Sequence, residues 1–247
     1  MSIVGKLFGD IIPEIASKTA SDIPKMFEAP PVKDQHLINL AVKESNLPPA
    51  ENSRLTQIPG TTPTYEKAYK LLDEMGVPSD RLDFGAGLGI GAKKVGADTY
   101  EPFPPKGFTP DFSNPADIPD NSYSAVTNLN VLNVVPKGIR DEIVQNIGRI
   151  LKPEGTAIIT TRGKDVMTAK GVPGHEPMSM IIGTGDKARY QKGFTPKELQ
   201  QYVKETLGSG FAVEPLKLGQ AGVKIKKLPE QVVDVNASTL PQPLEGM

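Results

Sequence analysis

The feature that most constrains the fold of this 247-residue chain is a glycine-rich loop that follows a short predicted strand. Glycines recur at every second position, at Gly85, Gly87 and Gly89, and a short predicted helix comes next. A strand that turns through glycines into a helix lets backbone approach a ligand closely, because glycine carries no Cβ. The dinucleotide fingerprint G-x-G-x-x-G would need glycine at the position of Ile90. The loop therefore predicts an α/β ligand-binding domain that does not follow the dinucleotide pattern.

Strands and helices alternate along the rest of the chain, and this alternation indicates the fold class. The last two predicted strands have no helix between them, which favours a hairpin. We therefore predict an α/β fold with a doubly wound, mostly parallel, Rossmann-like sheet and an antiparallel hairpin at one edge. The predicted strands are 81–84, 97–100, 107–112, 123–129, 156–161, 211–216 and 222–226, and the predicted helices are 63–75, 90–95, 137–151 and 196–207, the last opened by a capping box at 195–198.

Proline and glycine are abundant, with 24 of each, so sizeable segments outside the core are expected. Residues 1–63 are predicted to be an N-terminal extension of short helices and a Pro-rich linker. Residues 64–227 are predicted to form the ligand-binding domain, and residues 228–247 an extended or disordered tail. Apolar residues near the N-terminus recur at helical spacing, so this helix is predicted either to dock on a partner or a membrane surface, or to pack on the domain or be partly disordered. Its charges of both signs argue against a membrane, because interfacial helices tend to be basic.

The composition excludes several kinds of chemistry. The chain has no cysteine, which excludes disulfides, thiolate metal sites and a cysteine nucleophile. Its two histidines, His36 and His175, lie far apart in sequence, so no metal site is expected. A net charge of −1 supplies no global attraction to nucleic acid or membrane. No apolar run is long enough for a membrane span, and a cytoplasmic location is expected.

The loop spacing, with an aspartate two residues before the first glycine, resembles motif I (D/E-x-G-x-G-x-G) of the class I S-adenosylmethionine (SAM)-dependent methyltransferases. The resemblance covers about residues 64–227 and implies that SAM is the cofactor. It implies that the loop passes beneath the methionine part of SAM and that Glu101, after the second strand, accepts the ribose hydroxyls. The two acceptor oxygens of a carboxylate suit a cis-diol. The loop residues expected to bind the cofactor are Asp83, Gly85, Ala86, Gly87 and Gly89.

A second segment, residues 111–126, is similar to the third and fourth motifs of that family. In this resemblance Asp111 and Phe112 lie beside the adenine, and Asp117 takes that place if the register is shifted. Ser124 departs from the family pattern, in which many members have aspartate.

The residues around the end of the strand at 123–129 bear on the methyl acceptor. The (D/N/S)-P-P-(Y/F) motif of amino-directed DNA methyltransferases is missing there, and cytosine-C5 enzymes need a cysteine. The run Asn128–Pro136 is similar instead to uncharacterised methyltransferases of phages and DNA-modification loci, which implies a nucleic-acid context. Asn128 and Asn130 are candidate catalytic residues, and Asn128 a candidate cofactor ligand, because such sheets bind ligands at the strand ends. The alternative is that one or two of these asparagines cap the following loop.

The segment 162–193 carries six basic residues against three acidic ones. Such a basic rim suits a phosphate backbone, and the alternative is a solvated rim without a ligand. Tyr190 and Phe194 are expected either to stack on a base or simply to pack. His175, with Glu176, is a further catalytic candidate as a general base, unless it is incidental. The predicted rim consists of Arg162, Lys164, Lys187, Arg189 and Lys192.

Methyl transfer asks for few catalytic groups, because the sulfonium activates the methyl group and alignment supplies much of the rate. The sequence therefore predicts a SAM-dependent methyltransferase with an unidentified acceptor, nucleic acid being slightly favoured. A second hypothesis is a SAM-fold protein that binds or builds part of a larger assembly, such as a phage particle, without methyl transfer. A third is another nucleotide-binding α/β enzyme.

Overall fold

The computed structural model describes residues 47–57 and 63–229, and from Pro49 onward the described residues belong to one compact unit. The predicted N-terminal helix, the linker up to residue 46 and the tail from residue 230 lie outside the described residues. The domain bounds 1–63, 64–227 and 228–247 stay predictions. No helix in the two described ranges is long and apolar enough to cross a membrane.

The helices and strands follow the predicted alternation. The helices are α1 (Pro63–Glu74), α2 (Ile90–Val95), α3 (Lys137–Ile150) and α4 (Pro196–Leu207). The strands are β1 (Arg81–Phe84), β2 (Asp98–Tyr100), β3 (Tyr123–Leu129), β4 (Leu151–Thr161), β5 (Gly171–Pro173), β6 (Ser179–Ile182), β7 (Arg189–Lys192), β8 (Phe211–Pro215) and β9 (Ala221–Lys227). The capping box of α4 is confirmed, because Thr195 Oγ1 accepts the Glu198 N–H at 3.1 Å and Glu198 accepts the Thr195 N–H.

The main sheet has six strands in the order β2-β1-β3-β4-β9-β8. The pairs among β2, β1, β3 and β4 are parallel, whereas β9 is antiparallel to both β4 and β8. Each face of the sheet carries an apolar cluster: Leu72 of α1 packs with Ile158 on one face, and Ile147 and Leu199 pack with Ile159 on the other. The doubly wound, mostly parallel sheet with an antiparallel edge hairpin is therefore confirmed.

The predicted strand at 107–112 is wrong. This stretch forms only one isolated bridge, between Tyr100 and Phe112. Pro110 removes a backbone N–H in the middle of this stretch, so the stretch cannot supply a continuous ladder of hydrogen bonds.

The segment 162–193, for which no helix or strand was predicted, contains a separate three-stranded antiparallel sheet in the order β5-β6-β7, which we call the arm sheet. Its strands are three or four residues long and one of them contains Gly171 and Pro173, so no periodic pattern marks them. The arm sheet is joined to the main domain by charged groups. Arg140 of α3 is ion-paired with Glu176, and Lys192 lies 2.7 Å from Glu198 of α4.

Candidate functional site

A cleft of about 350 Å³ opens at the carboxyl ends of β1, β2 and β3. The chain leaves β1 towards β2 on one side, while β3 pairs with β1 on the other, so the cleft lies where the strand order reverses. Open α/β sheets bind ligands at this switch point, in pockets of about 300–1,000 Å³. The position and volume of the cleft therefore mark it as the candidate ligand site.

The glycine loop forms one wall of the cleft. Gly85 has a φ of +96°, and its N–H and that of Ala86 donate to the Tyr100 carbonyl at 2.8 and 3.0 Å. A Cβ on Gly85 would lie 2.5 Å from Cγ2 of Val131, closer than real contacts allow. Gly87 also has a positive φ and lies next to Gln57. The backbone conformation and the close approach both require glycine at position 85.

Gly89 belongs to the turn between the glycine loop and α2 and not to the wall of the cleft. It has a φ of +68° and precedes α2, and a Cβ there would lie 2.2 Å from the Phe108 ring. Of the predicted loop residues, Asp83, Gly85, Ala86 and Gly87 line the cleft, and Gly89 does not.

Asp83 lies at the base of the cleft with only 2% of its surface exposed. Its Oδ2 accepts from the Tyr65 hydroxyl at 2.5 Å and its Oδ1 from the Thr127 hydroxyl at 3.0 Å. Burial raises the pKa of Asp83 to about 6, against the opposing effect of these two hydrogen bonds. Asp83 therefore holds a proton at mildly acidic pH and carries a fixed negative charge above it.

Glu101 lies beside the loop, directly after β2, and is nearly buried. Its Oε2 accepts the Gly87 N–H at 2.8 Å and its Oε1 the Phe103 N–H at 3.1 Å. Burial raises the pKa of Glu101, and these two backbone donors oppose that rise. Each oxygen keeps a second lone pair, so the carboxylate can still accept two hydrogen bonds from a ligand in the cleft.

The far wall of the cleft is formed mainly by apolar side chains of the segment after β3 and of α3. Val134, Val135, Ile139 and Ile143 line it, and Phe103 lines the side next to Glu101. One charged residue, Glu142, lies in this wall. The cleft thus has polar groups along the glycine loop and an apolar slot at the end towards α3.

A segment that precedes α1 in sequence also lines the cleft, through Ala50, Ser53, Thr56 and Gln57. We call residues 50–57 the strap. It is fixed by Asn52, whose buried Nδ2 donates to the Ala188 carbonyl near β7 at 2.7 Å. Sequence reasoning placed these residues in the linker, because a hydrogen bond between residues 136 positions apart leaves no local pattern.

The residues predicted to contact adenine lie outside the cleft. Asp111 Oδ2 accepts from both the backbone N–H and the hydroxyl of Thr99, each at 2.8 Å, which ties the chain to β2. Phe112 packs at the edge of the core, and Asp117 is exposed in a short 3₁₀ turn. None of these three residues lines the cleft, and their contact with adenine stays a prediction.

The asparagines at the end of β3 and in the segment after it separate into two kinds. Asn130 lines the cleft with a φ of +60°. Asn128 is fully buried inside the sheet, and its Nδ2 donates to the Phe84 carbonyl at 2.7 Å, while Asn133 is also buried. Neither buried asparagine lines the cleft, so only Asn130 of the group is placed to meet a ligand.

His175 does not line the cleft, and Glu176 is committed elsewhere. The Glu176 carboxylate binds the Arg140 guanidinium and accepts from the Tyr190 hydroxyl. Burial alone would raise the pKa of Glu176, but Arg140 holds it below its ordinary value. In this arrangement Glu176 anchors the arm sheet, and it is not placed as a partner base for His175.

The predicted basic rim needs one correction. Lys192 is 3% exposed, and its ammonium donates to Glu198 and to two backbone carbonyls, so it adds no charge to the surface. Arg162 is paired with Asp165 at 2.5 Å. Lys164 and Lys187 are exposed and Arg189 is half-buried. The aromatic residues Tyr190 and Phe194 are both buried and pack, so they offer no stacking surface.

The chain matches no protein-family model and no curated protein. It is similar to solved structures described as SAM-dependent methyltransferases. A Methanosarcina mazei protein is 16% identical with a TM-score of 0.44, over 64% of this chain and 98% of that one. A Burkholderia thailandensis 1,6-didemethyltoxoflavin N1-methyltransferase with bound S-adenosylhomocysteine is 13% identical with a TM-score of 0.47, over 67% and 79%. The sugar N-methyltransferase KedS8 of Streptoalloteichus is 15% identical with a TM-score of 0.48, over 68% and 87%.

These structures do not support the predicted similarity to enzymes of phages and DNA-modification loci.

Proposed function

We propose that this chain binds SAM in the cleft at the carboxyl ends of β1 to β3 and transfers its methyl group. The observation that carries the proposal is the pairing of Glu101 with the glycine loop. A buried carboxylate with two free acceptor positions lies hydrogen-bonded to Gly87 N–H, beside backbone that has no side chain at Gly85 and Gly87. This combination fits a ligand with a cis-diol that needs close backbone approach and no phosphate cradle.

Different residues of the cleft would contact different parts of SAM. Glu101 would accept the ribose hydroxyls, and the backbone of Gly85 and Gly87 would lie under the methionine part. Asp83, held by Tyr65, supplies negative charge at the base of the cleft once deprotonated, which suits a ligand carrying an ammonium and a sulfonium. When bound, SAM supplies a methyl group already activated by its positive sulfur. The protein's contribution would then be alignment and exclusion of water by the strap.

For the acceptor we propose nucleic acid, on the support of the exposed cations Lys164 and Lys187 and the half-buried Arg189. Fewer basic residues support this proposal than the sequence predicted, because Lys192 is buried and Arg162 is paired with Asp165. The competing proposal is a protein that binds SAM for structure alone. A cytoplasmic location stays a prediction.

Isothermal titration of the purified chain with SAM and with S-adenosylhomocysteine tests the cofactor proposal. We expect both to bind at micromolar concentrations, and Glu101→Ala to weaken binding by about tenfold or more, since charge-assisted hydrogen bonds contribute about 1.5–3 kcal/mol. Glu205→Ala, which removes an exposed carboxylate of α4, is the matched control. Binding of neither ligand at high micromolar concentration would overturn the proposal.

Methyl transfer is tested separately with radiolabelled SAM and DNA, RNA or cell extract as the acceptor. Label in nucleic acid, reduced in the double variant Lys164→Ala/Lys187→Ala, supports the acceptor proposal. Label in small molecules or protein alone would replace it. SAM binding without any transfer would favour the structural alternative.

A further inference from the structure

The strand pairing of the arm sheet brings three basic residues together at one of its ends. Gly171 of β5 is paired with Ile182 of β6, which is paired in turn with Arg189 of β7. Lys170 directly precedes Gly171, and Lys187 lies in the 3₁₀ turn that precedes β7. Because neighbouring strands lie about 4.8 Å apart, the backbones of Gly171 and Arg189 are about 10 Å apart. We call Lys170, Lys187 and Arg189 the basic end of the arm sheet.

The basic end keeps its positive charge, whereas most acids of the same segment are neutralised by a partner. Two of its side chains are exposed and one is half-buried, and none has an ion-pair partner among the residues that the structure describes. Of the three acids in the segment 162–193, Asp165 is paired with Arg162 and Glu176 with Arg140. The third, Asp186, lies in the turn with the basic end, so three positive charges against one negative leave a net charge of +2 there.

The basic end lies next to the strap. Ala188, which is flanked in sequence by two residues of the basic end, accepts the hydrogen bond from the buried Asn52 side chain at 2.7 Å. The strap contacts both β7 and the turn before it. Its two charged residues, Glu51 and Arg54, are exposed and opposite in sign, so they leave the charge of the basic end uncancelled. An anion bound on both sides of Ala188 would therefore hold in place the carbonyl that fixes the strap.

We propose that the basic end binds phosphates of a nucleic acid strand and that this binding holds the strap closed over the cleft. The effect on the cleft rests on the proposed SAM function, whereas the phosphate-binding surface does not. A width of about 10 Å matches about three nucleotides at 3.4 Å each along one strand of a duplex. The surface includes Lys170, which the predicted rim left out. Because coupling between two sites is reciprocal, SAM and nucleic acid raise each other's affinity by the same factor.

The surface is tested by the salt dependence of binding, measured as the fluorescence anisotropy of labelled single-stranded DNA and RNA oligonucleotides with the full-length chain. Three cations on phosphates give a slope of about −2 for log K against log salt concentration. The double variant Lys170→Ala/Lys187→Ala should bind more weakly, with a slope of about −0.7. The control Lys67→Ala/Lys204→Ala removes two exposed lysines of α1 and α4 and should keep the wild-type slope. Binding of neither strand, or equal slopes in the two double variants, overturns the surface.

The coupling is tested by the dissociation rate of S-adenosylhomocysteine, measured by stopped-flow displacement with and without saturating oligonucleotide. We expect the oligonucleotide to slow dissociation about fivefold in the wild type. In Asn52→Ala the slowing should vanish, because the strap loses its bond to Ala188, while oligonucleotide affinity without S-adenosylhomocysteine stays unchanged. No slowing in the wild type, or equal slowing in Asn52→Ala, overturns the coupling and leaves the surface standing. A wild type that binds the oligonucleotide but not S-adenosylhomocysteine overturns the proposed function and the coupling that rests on it, and not the surface.

Discussion

At the scale of single residues, the cleft depends on groups whose ordinary chemistry is altered by burial. Asp83 is the clearest example, because it is enclosed by Tyr65 and Thr127 and has no cation beside it among the described residues. Its carboxylate is stabilised by two hydroxyl donors, which offset only part of the cost of removing a charge from water. The result is a carboxyl group with a pKa of about 6, at the position proposed to face a cationic ligand.

The pKa of Asp83 makes the free energy of unfolding depend on pH. Its ordinary pKa of 3.8 is raised to about 6, so the folded state holds the proton more tightly than the unfolded chain. The contribution of Asp83 to the free energy of unfolding is therefore fully present below about pH 4 and is lost as the pH rises through about 6. Relative to Asp83→Asn, the wild type should lose about 2 kcal/mol between pH 4.5 and pH 8. Urea denaturation of both proteins measures this, and parallel pH profiles would refute it.

The glycine loop supports a second prediction at this scale. Gly85→Ala adds a Cβ at a φ of +96° and 2.5 Å from the stiff, β-branched Val131. Gly96→Ala is the matched control, because its φ is +65° and no atom lies within 4 Å of the added Cβ. We expect the control to lose about 1 kcal/mol from backbone strain and Gly85→Ala about 2–4 kcal/mol, together with ligand binding. Equal losses in urea denaturation would show that the contact with Val131 is unimportant.

At the scale of elements, two ion pairs, each with a buried basic side chain, attach the arm sheet to α3 and α4. The Arg140 side chain is 1% exposed, binds the Val135 carbonyl at 2.7 Å and is paired with Glu176. Because Val135 also lines the cleft, the same arginine connects the arm sheet to the wall of the ligand site.

Removing the charge of Glu176 should loosen this attachment. Glu176→Gln leaves the Arg140 guanidinium buried without a counter-charge, which costs about 3–5 kcal/mol in comparable cases. Glu214→Gln breaks the exposed pair with Lys224 and should cost less than about 1 kcal/mol. Chemical denaturation compares the two variants. A similar small effect in both would mean that Glu176 is not the anchor of the arm sheet.

The strand β3 and the helices α2 and α4 were placed correctly, because periodicity, glycine and a capping box are local signals. The arm sheet was missed because its strands are very short. The adenine contact of Asp111 stays a prediction, and its carboxylate accepts hydrogen bonds from Thr99, which lies 12 residues earlier in the chain. Such partners depend on how distant segments meet, and no spacing in the sequence records them.

At the scale of the whole molecule, the candidate ligand site is assembled from segments far apart in the chain. The main sheet supplies the glycine loop and Glu101, α3 supplies the apolar wall, and the strap closes the remaining side. The strap is linked through Asn52 to Ala188 beside the arm sheet, so the arm sheet and the strap are connected on one side of the cleft.

This connection predicts the kinetics of ligand release. Asn52→Ala removes the bond to the Ala188 carbonyl and should let the strap open more often, raising the SAM dissociation rate by about fivefold for a bond of about 1 kcal/mol. Arg54→Ala alters an exposed strap residue that does not line the cleft and should leave the rate unchanged. Stopped-flow displacement measures both rates. Identical rates in the two variants would show that Asn52 does not hold the strap closed.

The two backbone hydrogen bonds to Glu101 have a consequence for the entropy of binding. A long carboxylate side chain usually loses rotamer freedom when a ligand orders it, at about 0.5–1.5 kcal/mol. In this protein the Gly87 and Phe103 N–H groups fix the carboxylate before any ligand arrives, so that loss belongs to folding. A ligand that binds Glu101 should therefore cost little side-chain entropy. The affinity of the cleft for a diol should then depend mainly on the free energy needed to remove water from the Glu101 carboxylate and from the diol hydroxyls.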